Sequence, residues 1–370
     1  MDEITKPIAI VTGSGGLIGS QSVKFLHDKG FYVVGIDNDM RSYFFGEDAS
    51  TKENNEALSN DYKDYESHNI DIRDYRTILD LFNHYGEAIE IIIHTAAQPS
   101  HDWAAKEPLT DFSVNATGTI NLLEATRVCC PKATFIFTST NKVYGDRPNY
   151  LDLVEEDTRY EYYDGAYWPG SIDEDMSIDQ CKHSVFGASK VAADIMCQEY
   201  ARYWNMNIGI FRGGCLTGPN HAGAELHGFL SYLIKCMVND KPYTIFGYKG
   251  KQVRDNIHSW DLVNMFWHYH QNPKPGEVYN AGGGRDNSTS ILEAIASVNK
   301  LRESDGLEPW SNYTVSDEAR IGDHQWYISN LRKFKNHYPD WDITISLEET
   351  IKQIYDAERQ KVHDRSTTVQ

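Results

Sequence analysis

Short, almost wholly apolar runs recur along the first half of the chain, each followed by a stretch whose apolar residues fall at helical spacing. Ile8-Ala9-Ile10-Val11 reads as a buried strand. The helix after it, running to about Asp28, stops at Gly30, a residue suited to a left-handed C-terminal cap. Tyr32 to Ile36 is a second strand, ending at Asp37, and Ile89 to His94 another. Helical spacing covers Asp111 to Val128, with Val114, Leu122 or Leu123, Ala125 and Val128 apolar, and again Phe186 to Trp204. Strands are expected at Thr134 to Thr138 and Asn207 to Arg212. Continuous apolar strands alternating with amphipathic helices indicate an α/β protein with a doubly wound parallel sheet, covered on both faces. Two stretches break the rhythm. Asp39 to Asn69 is polar and expected to be loop-rich. Asp146 to Lys182 is acidic and aromatic, with Tyr160, Tyr162, Tyr163, Tyr167 and Trp168, and reads either as a functional lid or as a surface insertion packed on itself. Arg359 to Gln370 reads as a flexible polar tail.

Composition narrows the classes. With 370 residues, 40% of them apolar and 24% charged, the chain can bury a large core as one large or two fused domains. The 54 acidic against 35 basic residues give a net charge of -19. Such a surface repels phosphate backbones and argues against general nucleic-acid binding, while leaving room for a local basic pocket. No apolar run reaches the ~18 residues of a membrane span, and Met1-Asp2-Glu3-Ile4-Thr5-Lys6 lacks the basic-then-apolar plan of a signal peptide. A cytoplasmic protein without a membrane partner is expected. The six cysteines show no metal-ligand spacing and read as reduced, mostly buried thiols, so no metal is expected.

The turn between the first strand and helix, Thr12-Gly13-Ser14-Gly15-Gly16-Leu17-Ile18-Gly19, spaces glycines as G-x-x-G-x-x-G at Gly13, Gly16 and Gly19. Glycine lets the turn be tight and the backbone approach a pyrophosphate, at which the helix N-terminus aims free amides and a positive dipole end. Asp37 ends the next strand, 18 residues after Gly19. A carboxylate there accepts hydrogen bonds from ribose hydroxyls and repels a 2′-phosphate, so NAD is preferred over NADP. Asn38 adjoins it. Arg41 either softens that preference or is a solvated loop arginine.

Further motifs fall at strand ends, where open parallel sheets bind ligands. They are His94-Thr95-Ala96-Ala97-Gln98, Thr138-Ser139-Thr140-Asn141-Lys142-Val143-Tyr144-Gly145, and Phe186-Gly187-Ala188-Ser189-Lys190 at the opening of the long helix. As an ordered set, over about residues 7 to 355, they resemble the extended short-chain dehydrogenase/reductase family of nucleotide-sugar epimerases and dehydratases. Within that family, STNKVYGD at 139–146, GKQVRD at 250–255 with His258 and Asp261, and Tyr279-Asn280-Ala281-Gly282-Gly283 are similar to segments of the 2-epimerases of CDP-linked hexoses.

The resemblance implies a Rossmann-type NAD-binding domain over 1–212 and 254–285, carrying the 146–182 insertion, with a smaller interleaved C-terminal substrate lobe from 213–253 and 286–358. It implies that Thr140 hydrogen-bonds the reacting sugar oxygen and that Lys190 holds the nicotinamide ribose and supplies positive charge. Leu17, Ile18, Thr95, Ala96, Ala97, Gln98, Asn115, Thr138 and Arg212 would belong to the cofactor cleft, with Asp71 and Ile72 beside the adenine. Asn115 also reads as a structural tie between neighbouring strands. Arg254 would contact the nucleotide diphosphate, or else form a surface salt bridge with Asp255 or Asp261. Ser100, His101, Asn141 and the loop residues His221, Glu225 and His227 are the candidate substrate contacts; solvated loop residues are the other reading for the last three. The implied partner is a nucleotide sugar, with a CDP-hexose favoured, and helices 111–128 and 186–204 would pair in a homodimer or higher homo-oligomer.

The pattern departs from the family at its expected Tyr-x-x-x-Lys, where Phe186 keeps the ring and loses the proton carrier. A phenol with an ordinary pKa of about 10 is normally lowered there by a neighbouring lysine and the oxidised nicotinamide. Losing a general acid/base typically costs roughly 100- to 10,000-fold in rate. Four explanations stand. Another group serves, with Lys190 one helical turn away and His183, Cys181, His101 and Asp102 as further candidates; each is individually more often structural than catalytic. The tyrosine was replaced by design. The chain binds a nucleotide sugar without turnover. Or the reaction differs from that of its relatives. Because Thr140, Lys190 and the glycine turn are intact, an active enzyme is expected. Its reaction would be oxidation at carbon 2 to a keto sugar and re-reduction on the opposite face, the nicotinamide carrying the hydride. The rivals are a 4-epimerase and a 4,6-dehydratase. The acidic pair usual in dehydratases after the serine or threonine is replaced by Asn141 and Lys142. A second departure, Gly213-Gly214 after Arg212, leaves more room beside the sugar.

Overall fold

The structure is a computed structural model that describes residues 5–167, 169–219, 228–320 and 322–368. The chain opens with β1 (Ile8–Thr12), α1 (Leu17–Asp28), β2 (Tyr32–Ile36), α2 (Met40–Phe45), α3 (Lys52–Asp61), β3 (Tyr65–His68), α4 (Tyr75–Tyr85) and β4 (Ile89–His94). It continues through α5 (His101–Lys106), α6 (Pro108–Phe112), α7 (Gly118–Cys129), β5 (Thr134–Thr140), β6 (Val154–Glu155), β7 (Tyr160–Glu161), α8 (Ser184–Trp204) and β8 (Ile208–Gly213). Next come β9 (Cys215–Thr217), α9 (Phe229–Val238), β10 (Tyr243–Phe246), β11 (Val253–His258), α10 (Ser259–Gln271) and β12 (Val278–Ala281). The last elements are β13 (Ser288–Ser290), α11 (Ile291–Ser304), β14 (Tyr313–Ser316), β15 (Trp326–Tyr327), α12 (Arg332–His337) and α13 (Leu347–Thr368).

Seven strands form one parallel sheet in the order β12-β8-β5-β4-β1-β2-β3. The two-residue side-chain period of a strand supplies a core on each face. In β1, Ala9 and Val11 join Val23, Ile93, Phe211 and Phe266 on one side, while Ile8 and Ile10 join Val34, Phe82, Ile92, Leu122 and Phe135 on the other. All seven lie with their C-terminal ends on one edge, and the segments after β1, β2, β4 and β5 that line the site leave from that edge.

The polar stretch 39–69 departs from the loop-rich expectation. It carries α2 and α3 and then β3, the sheet's outermost strand on that side. The sequence of β3, Tyr-Glu-Ser-His, buries only Tyr65 fully, because an edge strand leaves much of its surface to solvent. The expected helix over 111–128 is in fact α6 and α7 joined through a π turn, Ser113–Thr117, which carries Asn115. The tail expected from Arg359 is, as far as Thr368, a continuation of α13.

A third apolar cluster is built by α9, β10, α11 and α13, with Leu230, Ile234, Ile245, Val298, Trp310, Ile351 and Tyr355 at its centre. It is tied to the large sheet through β11, which pairs with β9, β13 and β15. The 146–182 insertion packs Tyr162, Ile172 and Met176 against Val253, Trp326 and Tyr327. Its buried Glu161 is held between Arg159 at 2.8 Å and Arg285 at 2.9 Å.

Candidate active site

A cavity of about 920 Å³ runs along the C-terminal edge of the sheet, from the glycine turn to the third cluster. One end is built by the turn between β1 and α1. Gly13 adopts φ +68°, and a methyl there would lie 2.9 Å from the Ala96 amide nitrogen. Gly19 faces the turn from inside α1, where a methyl would lie 1.9 Å from the Gly13 carbonyl oxygen. Only residues without a Cβ let helix and turn approach this closely. The first turn of α1, with Leu17 and Ile18 in the cavity wall, presents amides that a helix does not satisfy internally.

Asp37 follows β2 and accepts from Gly15 N at 2.9 Å, Asp39 N at 2.9 Å and Thr51 Oγ1 at 3.0 Å. Its carboxylate thus fixes the glycine turn and also lines the cavity. The 39–69 stretch closes over this end. Asn54 Nδ2 donates to Gly15 O at 2.7 Å, and Tyr65 Oη donates to Ser14 Oγ at 3.1 Å. Arg41 stands 5.1 Å over the Phe45 ring, in the cavity wall. Burial pushes its guanidinium down to about 10, with Asp37 opposing. Asn38, Asp71, Ile72, Thr95, Ala96, Ala97 and Thr138 share the wall. Asp71 is also paired to Arg73 at 2.6 Å.

In the middle of the cavity, Thr140 at the end of β5 accepts from Lys142 N at 3.2 Å. Lys190 Nζ donates to Thr138 O at 2.8 Å and stands 4.3 Å over the Phe137 ring. Burial pushes its ammonium down to about 8 against Cys197, Asp194 and Asp111. Phe186, on the first turn of α8, is buried and meets the His101 ring edge-on at 5.0 Å. His101 Nδ1 hydrogen-bonds Ser184 Oγ at 2.7 Å, and burial, aided by Lys142, pushes the imidazole down to about 3.

The far end is cationic. Arg254 pairs with Asp323 rather than with Asp255 or Asp261. Asp255 instead accepts from Ser329 N and Gly284 N, and Asp261 from Thr344 and Ile345. Burial would raise the Asp323 carboxyl, but Arg254 and Lys142 hold it below the usual range. Lys142 Nζ donates to Gly322 O at 2.9 Å. Arg320, 4.4 Å over the Phe246 ring, joins Lys235, Gln252, Tyr243 and Lys361 in the same wall.

Several expected contacts lie elsewhere. Gln98 is buried and donates to Ser100 O at 2.9 Å and Asp111 Oδ1 at 2.7 Å. Ser100 caps α5 by accepting from Trp103 N. Asn115 donates to Gln98 O, Asp111 Oδ1 and Ser189 Oγ and accepts from Gln98 N, so its amide is spent on tying α8 to the chain after β4. Arg212 points beneath the site into a buried pair with Asp194 at 3.0 Å and donates to Tyr144 Oη. His183 hydrogen-bonds Val143 O at 2.9 Å, with Cys181 beside it. None of these side chains is in the cavity wall. His221, Glu225 and His227 lie outside the described residues. Of the residues the structure adds, Lys142 stood in a recognisable motif. Asp323 and Arg320 had no signal, since Asp323 meets Arg254 across 69 positions. Among the described residues no cluster suited to a metal ion is present.

These features define a nucleotide-cofactor enzyme of the Rossmann type, and residues 9–282 match the NAD dependent epimerase/dehydratase family. The chain belongs to that family, and NAD is its cofactor. It is 30% identical to CDP-paratose 2-epimerase of Salmonella typhi over 94% of its length and 98% of that protein. It is 27% identical to UDP-glucuronate 4-epimerase of Thermodesulfobacterium geofontis over 93% of each chain. Among solved structures, a tyrosine-to-phenylalanine mutant of UDP-glucuronic acid 4-epimerase from Bacillus cereus, in complex with NAD and a fluorinated UDP-sugar, superposes with a TM-score of 0.76 at 25% identity, covering 96% of this chain and 99% of that one. The glycine turn fits NAD on its own geometry, because Gly13, Gly15 and Gly16 line the cavity at the N-terminus of α1, whose first amides have no partner within the helix.

Proposed function

We propose that the protein epimerises carbon 2 of a nucleotide-linked hexose, with a CDP-hexose as substrate. The observation that carries this reading is the single cavity that joins the NAD cradle, through Thr140 and Lys190, to a wall holding Arg254, Arg320, Lys235 and Lys361. Cations at that end suit a diphosphate. The similarity to CDP-paratose 2-epimerase supports the cytidine nucleotide and the carbon. Asn141 and Lys142 after Thr140 leave no carboxylates there for elimination of water, which favours epimerisation over dehydration.

Bound NAD supplies reversible hydride acceptance. The protein's own share is to bind, orient and exclude water. Thr140 offers a hydroxyl to the reacting oxygen. Lys190 holds positive charge at the sheet edge. The residues of 39–69 close the cofactor end, which suits a cofactor that is retained through each cycle rather than exchanged. Gly213 and Gly214 also line the cavity, but a methyl on them would meet Leu216 and Asp255, so both serve the close packing of the wall rather than the room expected beside the sugar.

The test is product analysis by NMR with substrate deuterated at carbon 2. Inverted product that keeps its deuterium, with no NADH released, supports the reading; stoichiometric NADH release or a dehydrated product overturns it. Phe186 favours one second reading, a nucleotide-sugar-binding protein without turnover, which predicts binding and no isotope movement. The exposed apolar side chains Leu109, Phe112, Val128, Ile195, Tyr203 and Trp204 on α6, α7 and α8 support a homodimer through these helices. No helix among the described residues is long and apolar enough to cross a membrane. The six free thiols support a reducing compartment, the cytoplasm.

A further inference from the structure

We propose that Lys142 is the proton carrier that replaces the missing phenol, its neutral amine taking the hydroxyl proton of the sugar carbon being oxidised and returning it on reduction. The assignment rests on the functional reading above.

Geometry places the amine in the right part of the cavity. Lys142 is two residues beyond Thr140, on the 3₁₀ turn Asn141–Tyr144 that caps β5, and it lines the same cavity as Thr140 and Arg254. Its Nζ donates to Gly322 O at 2.9 Å. Gly322 packs directly on His101, since a methyl on it would lie 2.8 Å from the imidazole Cε1. That imidazole in turn stands on the Phe186 ring at 5.0 Å. Lysine and the position of the absent phenol are therefore linked through one residue and one ring, both of which line the same cavity. The backbone of Lys142 also faces α8 here, with its carbonyl oxygen 3.0 Å from where a methyl on Gly187 would sit.

Asp102 also lines the cavity and is tested beside Lys142 below; the remaining candidates fit less well. His183 and Cys181 are not in the cavity wall. His101 is held neutral and weakly basic, pushed down to about 3 by burial and Lys142, so it takes up little proton at neutral pH. Lys190 is drawn down onto Thr138 O and the Phe137 ring, towards the sheet. Lys142 is basic enough to receive a proton and acidic enough to release it. Burial brings its ammonium down to about 8, Asp323 opposing and Arg254 assisting, with Cys215 a smaller opposing charge and the His101 and His324 rings also facing it. A pKa near the working pH is what general acid/base transfer needs.

The step balances as follows. The sugar O–H bond breaks, and its proton forms an N–H bond on the uncharged amine. The C–H electron pair leaves with its hydrogen to the nicotinamide, the oxidant the family supplies, and a C=O remains. Re-reduction reverses each change on the other face.

The experiment compares the native chain with Lys142→Met, Asp102→Asn and the double variant Lys142→Met/Phe186→Tyr. Deuterium return at carbon 2 is followed alongside NAD content and sugar-nucleotide affinity by calorimetry. Lys142→Met should lose roughly 100- to 10,000-fold in rate with NAD still bound, and Phe186→Tyr added to it should restore at least tenfold. Native-like isotope return in Lys142→Met, failure of the added tyrosine to rescue, or a loss confined to Asp102→Asn overturns the assignment. Independently of turnover, trace acetylation of the native protein across pH, read at residue 142 by peptide mass spectrometry, should give a midpoint near 8. A midpoint at the ordinary lysine value of about 10.4 overturns the assignment even if the variant does not fold. If the native chain moves no isotope at all, the functional reading fails and this assignment with it. If the native chain does and Lys142→Met does equally, only the assignment fails.

Discussion

Gly19 shows how little choice one position has. A methyl on it would meet the Gly13 carbonyl oxygen at 1.9 Å, backbone against backbone, with no flexible side chain to yield. Gly19→Ala must therefore push α1 off the turn. Overpacking of this kind costs about 1–3 kcal/mol or more. A lowered melting temperature and a protein purified with little NAD are expected, checked by calorimetry and by cofactor released in acid. Residues of this sort were legible in the sequence because turn, strand and helix are contiguous. Thr140, Lys190 and Phe186 were legible for the same reason. Arg212 was not. An arginine at a strand end can face a ligand or the interior, and what decided it was Asp194, on a different element, 18 positions away.

Among the elements, the polar stretch 39–69 is the one that binds down the glycine turn. Its polarity hid two helices and a strand, because the side chains that hold it are hydrogen-bonding rather than apolar: Thr51 to Asp37, Asn54 to Gly15, Tyr65 to Ser14 and Asn55. A periodicity argument reads burial, and here little is buried. Strands with unbroken apolar runs were placed to within one or two residues for the opposite reason. Tyr65→Phe removes the hydroxyl that joins β3 to the turn at 3.1 Å from Ser14 and 3.0 Å from Asn55. At about 1 kcal/mol per hydrogen bond, the closed arrangement weakens enough for roughly tenfold or faster loss of NAD on dilution. Retained cofactor after repeated gel filtration measures this; retention equal to the native protein would show that the stretch does not hold the dinucleotide.

At the scale of the molecule, two properties can be read out. The buried ring of His94 and the half-buried ring of His101 are each pushed down to about 3, desolvation being the main cause and a nearby lysine assisting, and His324 is lowered too. An unfolded chain binds protons at these rings from about pH 6.5 downward while the folded one does not. Stability is therefore full above about 6.5 and falls as pH drops from there towards 3, by about 1.4 kcal/mol per pH unit for each ring. Urea midpoints should decline already between pH 6.5 and 5, before most carboxylates titrate; a flat midpoint over that range would contradict the neutral rings. The second property is assembly. Tyr203 is 78% exposed on α8 and Leu109 86% on α6. Tyr203→Lys with Leu109→Lys should halve the sedimenting mass if these helices pair, and leave NAD content unchanged. The pairing of β11 with β9, β13 and β15 was not legible, since no local pattern joins strands so far apart in the chain.

The pairing of Lys142 with the Gly322 carbonyl, and of Arg254 with Asp323, has a consequence for biosynthesis. A ribosome delivers the glycine turn, Thr140 and Lys190 long before these late partners emerge from its exit tunnel. The far end of the cavity thus depends on contacts that span 180 and 69 positions and form only once residues 322 and 323 have been made.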